Sequence, residues 1–201
     1  ASPTMNYLAH LYLSGPSDGV RLGNFIGDYV KGNRFSLYPP EIRKGILLHR
    51  QIDSFMDEHP LSHTSAELFR ARYTRFSRVI IDVVYDHYLA KNWDKYSDQS
   101  LHDFVNEVHK LFITNYFILP PQVRQFLPFL IRSRRMENYQ HLSGIEKTLK
   151  IMANHTVLPD HSAWAVEQIV KNDRQLQEQF TGFFEDIREM CRLFLENYKG
   201  D

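Results

Sequence analysis

Carboxylates and imidazoles recur in three apolar stretches of the first ninety residues, and their spacing is the strongest chemical signal in this sequence. His49 and Asp53 stand four apart in Ile46–Leu47–Leu48–His49–Arg50–Gln51–Ile52–Asp53. On a helix such residues project from one face, one turn apart. Asp82 and Asp86 repeat that spacing in Ile80–Ile81–Asp82–Val83–Val84–Tyr85–Asp86–His87, with His87 about 100° further round. Asp28 lies among Gly23, Gly27 and Gly32, a setting that also suits a loop or close helix packing. Ionised carboxylates are costly to bury without a partner, and two of them one turn apart repel each other. A divalent cation would relieve both problems. Mixed His and Asp ligands without cysteine suit Mn²⁺, Fe²⁺, Zn²⁺ or Mg²⁺. The candidate set is Asp28, His49, Asp53, Asp82 and Asp86. Two plainer readings stand beside it: a salt-linked surface pair for His49 with Asp53, and a wetter helix face for Asp82 with Asp86.

The remaining polar groups carry less. His10, in Leu8–Ala9–His10–Leu11, reads as a hydrogen-bonded core histidine, with a catalytic role as the alternative. His59 and His63 flank Pro60 and Ser62 and read as loop and solvent groups. His102–Asp103 follows Ser100 at a helix start and reads as capping. Arg70, Arg72, Arg75 and Arg78 fall within nine residues without an acid, and Arg132, Arg134 and Arg135 form a second group. Either is a solvated surface or a local patch for an acidic partner, since guanidinium forks suit phosphate and carboxylate oxygens. No Gly-rich phosphate loop, nucleophile elbow or Cys–His pairing is present.

The elements that must position these residues read as helices. Pro40 and Glu41 suit a first turn, and the apolar stripe Ile42, Leu48, Ile52 and Phe55 predicts a helix from about Glu41 to Met56. Shorter segments cover Asn6 to Leu13, Val20 to Val30 and Pro60 to Tyr73. Arg78 to Trp93 mixes strand-favouring Val, Ile and Tyr with a length that suits a buried helix. Ser100 to Phe112 starts at a plausible N-cap; Val123 to Arg132 follows Pro120–Pro121. Ser143 and Glu146 stand in capping-box spacing ahead of a helix to Asn154. His161 to Tyr198 reads as one or two amphipathic helices, with a break expected at Gly182. From Asp173 to Asp201, seven acids face four bases, as expected of a packing helix with a solvated face. The fold class is all-α: one domain over residues 5–201, about eight or nine helices. Ala1–Thr4 look like a remnant before a natural start at Met5.

Composition narrows the function classes. The 201 residues are 43% hydrophobic and 24% charged, ordinary for a globular domain. Twenty-four basic residues balance twenty-four acidic ones, so there is no overall basic field for nucleic acid. A single cysteine, Cys191, excludes an internal disulfide and a thiolate zinc site, and fits a reducing cytoplasmic setting. No apolar run reaches membrane-spanning length. Nothing in the pattern sets an oligomeric state.

Four ordered motifs resemble the acyl carrier protein phosphodiesterase family, whose members are related to HD-domain phosphohydrolases. They are Asn6–Tyr7–Leu8–Ala9–His10–Leu11, the run Gly23 to Asn33, the run Gly45 to Asp53, and Asp82 to Leu89. The resemblance reaches from about Met5 to Trp93. It implies an HD-domain-like bundle and a divalent cation, Mn²⁺ foremost. The implied reaction cleaves the phosphodiester joining 4′-phosphopantetheine to a serine of holo-acyl carrier protein. It also implies a site drawn from Asp28, His49, Asp53, Asp82, Asp86 and His87, in which Asp86–His87 reverses the usual His–Asp order. On that chemistry, His10 or His87 is the candidate general acid and Asp28 a catalytic carboxylate. Arg50 is the candidate phosphate-binding residue, and Arg70, Arg72, Arg75 and Arg78 the surface for the acidic carrier protein. An HD-like phosphohydrolase of a small nucleotide, and a non-enzymatic helical binding protein with a structural ion-pair cluster, are the competing readings.

Overall fold

The computed structural model describes residues 7–200; Met5, Asn6 and the four residues before them lie outside the described part. Among the described residues there are twelve α-helices, two of them single turns, and no strand. The all-α expectation holds. The site-bearing helices are α1 (Tyr7–Leu13), α2 (Asp18–Ile26), α3 (Pro40–Glu58) and α6 (Ser77–Lys91). Between α3 and α6 lie α4 (Pro60–Glu67) and α5 (Arg70–Tyr73). Then come α7 (Leu101–Thr114), α8 (Pro121–Ser133), α9 (Arg135–Asn138), α10 (Leu142–His155), α11 (Ser162–Lys171) and α12 (Asp173–Asn197).

The ambiguous segment is the central helix, α6. Its residues Val83 to Ala90 are all buried, which is why its apolar pattern shows no single face. Helices α1, α4, α10 and α12 pack around it. The closest pair is α2 with α3. Gly23 and Gly45 bring these backbones together so tightly that a Cβ on Gly23 would lie 2.0 Å from the Ile42 carbonyl oxygen. Phe25 of α2 then stacks on Phe112 of α7, ring centres 3.9 Å apart, which ties this pair to the next layer.

Two boundary expectations are corrected. The break in the C-terminal segment falls at Asn172, whose side chain bonds back to the Gln168 carbonyl at 2.9 Å. Gly182 stays helical and lets Leu61 approach; an added Cβ would meet Leu61 Cδ1 at 2.9 Å. Helix α10 begins at Leu142, so Ser143 lies inside the first turn, and Glu146 pairs with Lys150 at 3.5 Å instead of closing a capping box. The α7 cap is as expected: Ser100 Oγ accepts the Asp103 N–H at 3.1 Å.

Helix α7 also carries a pH-sensitive element. His109 is 6% exposed, and its Nε2 is buried without a hydrogen-bond partner. Burial, with the Arg134 charge acting in the same sense and Glu137 opposing, lowers its pKa to about 4. In the unfolded chain it titrates near about 6.5. As pH falls from 6.5 to 4, only the unfolded state gains this proton, so stability drops across that window. The loss amounts to about 3 kcal/mol by pH 4. His109→Leu is expected to flatten the profile there. Urea unfolding at pH 7, 5.5 and 4 reads the difference; parallel losses in both proteins would rule the element out.

Candidate metal centre

Helix α3 places His49 and Asp53 on one face, as their spacing predicts. His49 Nε2 lies 3.2 Å from an Asp53 oxygen and 2.9 Å from Asp28 Oδ1, which the turn after α2 delivers. Helix α1 brings His10 alongside. Its ring stacks on His49 with centres 4.1 Å apart, and its Nε2 approaches Asp53 Oδ1 to 3.3 Å. The ligating atoms of His10, His49 and Asp53 all fall within 4.8 Å of one another. Both histidines are buried, whereas the Asp53 and Asp28 side chains are 39% and 20% exposed. The cluster therefore opens to solvent on its carboxylate side.

Both rings are held in one orientation by Asn24, a residue the sequence reading passed over. Its Oδ1 accepts the His10 Nδ1–H at 2.6 Å, and its backbone carbonyl accepts the His49 Nδ1–H at 2.8 Å. The direction of the first bond follows from the rest of the network. Ser14 Oγ donates to the His10 carbonyl, and Asn24 Nδ2 donates to that carbonyl and to Ser14 Oγ, each at 2.8 Å or less. The amide oxygen is therefore the atom facing His10. With both Nδ1 atoms committed, both Nε2 atoms point into the cluster. His10 Nε2 is buried without a well-formed hydrogen bond, with Asp53 Oδ1 3.3 Å away, and a cation would satisfy both atoms. The set fits a divalent ion. Removing the Asn24 side chain is expected to weaken metal binding by about 10- to 100-fold. Titration of Asn24→Leu with Mn²⁺ checks this; unchanged affinity in a folded variant would refute the positioning role.

Electrostatics agree with a site waiting for positive charge. Burial pushes His49 down, but hydrogen bonds and attraction from Asp28 and Asp53 outweigh it and raise its pKa to about 10. Burial raises Asp53, yet His10 and His49 hold it well below the usual carboxylate range. A proton on His49 thus supplies charge that a cation would otherwise bring.

The other expected residues divide. Asp82 faces the same region: burial first, then the charges of Asp53, Asp86, Asp57 and Asp28, raise its pKa well above normal. It has no hydrogen-bond or ion-pair partner among the described residues. Asp86 is not brought to the histidine pair. Its two oxygens accept the Leu8 and Ala9 backbone N–H groups, both at 3.0 Å, and so cap the start of α1 from α6. A helix terminus, rather than a cation, satisfies that carboxylate, and Asp86 positions His10 through α1. His87 points to the far side, where its Nδ1–H donates to the Tyr139 carbonyl at 2.7 Å, and burial lowers its pKa. It does not join the cluster. Arg50 is committed as well: its Nη2 donates to the Val30 and Gly32 carbonyls at 3.0 and 2.8 Å, and the guanidinium covers Phe35. It clamps the loop after Asp28 through Nη2.

The arginine group is exposed throughout. Arg70 pairs with Glu67, Arg72 lies over Trp164, and Arg75 over Phe76. Arg78 stands 3.7 Å from Asp57 and shares a small crevice with His63 and Asp82. His59 is an N-cap for α4 and pairs with Asp186 at 2.8 Å, a built role that the loop reading missed.

A profile of the family described as acyl carrier protein phosphodiesterase matches residues 5–187. The chain belongs to that family. It is 34% identical over 181 residues to the acyl carrier protein phosphodiesterase of Yersinia enterocolitica, covering 90% of this chain and 94% of the relative. The Serratia proteamaculans protein of the same name is 29% identical over 189 residues, covering 94% and 98%. The Photorhabdus laumondii protein of that name is 34% identical over 150 residues, covering 74% and 76%. No solved structure matches. The family match extends nearly 100 residues past the last sequence motif at Leu89, through the helices that enclose α6. Among the described residues, no helix is long and apolar enough to cross a membrane.

Proposed function

We propose that this chain is a metal-dependent phosphodiesterase that removes 4′-phosphopantetheine from the serine of holo-acyl carrier protein. The cluster of His10, His49 and Asp53, with Asp28 at its rim, carries this reading. His10 Nε2, His49 Nε2 and an Asp53 oxygen would hold the cation, with Mn²⁺ foremost and Mg²⁺, Fe²⁺ or Zn²⁺ as alternatives. A bound divalent cation supplies a more acidic water and stabilises charge on phosphoryl oxygens. The chain's own residues do the rest. Asn24 fixes both imidazoles, Asp86 anchors the helix that carries His10, and the half-open carboxylate side admits the phosphodiester. Asp28, 2.9 Å from His49 Nε2 at the rim, is placed to orient an attacking water. Of the exposed arginines from Arg70 to Arg78, Arg78 lines the Asp82 crevice, and the group offers an acidic carrier protein a docking surface. That attraction weakens with salt.

Incubation of the chain with holo-acyl carrier protein and Mn²⁺, read by mass spectrometry, tests the proposal. The expected result is loss of about 340 Da, the mass of the phosphopantetheine group, dependent on added metal. An unchanged carrier protein, or cleavage that proceeds equally in chelator, would overturn it.

A further inference from the structure

A second concavity lies on the other side of Tyr7 and Tyr29. Its volume is about 570 Å³, within the range of small-molecule sites. Phe126, Leu130, Ile151 and Met152 line it with hydrocarbon and aromatic surface. Arg135 and Lys147 also line it, and both reach a smaller polar cavity of about 260 Å³ that adds Ser133, Asn138 and His141. Arg135 is 9% exposed, its guanidinium lying 4.9 Å from the centre of the Phe129 ring. The two cavities share Phe129, Arg135, Lys147 and Ile151, so these side chains form the border between an apolar chamber and a cationic, hydrogen-bonding one.

Two cations between a greasy chamber and a polar one suit a ligand divided the same way. We propose that this paired cavity binds a long-chain fatty carboxylate, with its chain against Phe126, Leu130 and Met152 and its head group on Lys147 and Arg135. A neutral lipid would leave the Lys147 charge unused, and a small inorganic anion would leave the apolar chamber unfilled. The occupant is independent of the proposed hydrolysis. Tyr29 follows Asp28 in the chain, and the Asp28 charge acts on both Tyr7 and Tyr29.

Isothermal titration of the full chain with dodecanoate and dodecanol, both below their aggregation limits, tests this. One-to-one dodecanoate binding is expected, tightening about two- to fourfold per added methylene from C8 to C12. Lys147→Glu, a change at an exposed position, is expected to weaken dodecanoate about tenfold and leave dodecanol unchanged. Ile151→Trp fills the chamber and is expected to weaken both ligands. Circular dichroism confirms that each variant is folded. Absence of saturable dodecanoate binding would overturn the proposal, as would equal weakening of acid and alcohol by Lys147→Glu. Ile151→Trp could instead slow only the cleavage of acylated carrier protein while free dodecanoate fails to bind. In that case the chamber serves an acyl chain on the carrier's arm, and the free-acid assignment falls. Because binding is read without turnover, failure of the proposed hydrolysis leaves this result intact.

Discussion

Asp53→Ala is expected to lower kcat/KM by about a thousandfold or more, since several kcal/mol of charge stabilisation go with the cation and each 1.36 kcal/mol is tenfold in rate. Asp53 is the residue that ties the cluster together: its two oxygens reach His10 Nε2 at 3.3 Å and His49 Nε2 at 3.2 Å. Its removal takes away the carboxylate that lies within reach of both imidazole Nε2 atoms. The loss has a readout apart from turnover. A ligand that binds only the folded state raises its melting temperature in proportion to occupancy. Mn²⁺ should therefore stabilise the unaltered protein and leave Asp53→Ala unmoved. Asp53→Asn, which keeps the shape and removes the charge, should behave in the same way. If Asp53→Ala kept both activity and the Mn²⁺-induced shift, the metal centre would lie elsewhere.

The sequence made some of this legible because the physics was local. Pro40 with Glu41 and a four-residue apolar stripe defined α3, and its helical period put His49 over Asp53. Ser100 announced α7 through a bond only three residues long. What stayed hidden depends on distant partners. Asp86 accepts from amides 77 and 78 residues away, a role that its i,i+4 relation to Asp82 does not reveal. His87 reads as a neighbour of the site in sequence, yet α6 is buried all round and one residue of rotation turns it to Tyr139. Arg50 was expected to face a phosphate; the loop carbonyls it holds come from a chain path that periodicity does not describe. Asn24 left a visible trace, an amide in the apolar run Gly23–Asn24–Phe25–Ile26. Buried amides need partners. Asking what could satisfy this one points to the neighbouring helices that carry His10 and His49.

Glycine spacing offers the other large effect, because it separates the fold from the site. Gly19, Gly23 and Gly27 stand four apart, a stripe along α2 and the turn that follows it, and α3 lies against that stripe. A Cβ on Gly23 would sit 2.0 Å from the Ile42 carbonyl oxygen and 2.9 Å from the Gly45 Cα. These are backbone atoms that cannot rotate aside, so the helices must part. Gly23→Ala is expected to cost about 3 kcal/mol or more, a fall of roughly 6–12 °C in melting temperature. A Cβ on Gly27 would instead have His49 side-chain atoms as its nearest neighbours, Cγ at 2.3 Å and Cβ at 2.6 Å. The imidazole has to move, and a displacement of about 1 Å at a reacting group can cost about a hundredfold in rate. Gly27→Ala should therefore lose most of its activity and Mn²⁺ affinity with the smaller loss of stability, whereas Gly23→Ala should show a large stability loss whatever its residual activity. Thermal unfolding and Mn²⁺ titration on the two variants make the comparison. Equal stability losses, or full metal affinity in Gly27→Ala, would mean that His49 is not held by the close approach of α2 and α3.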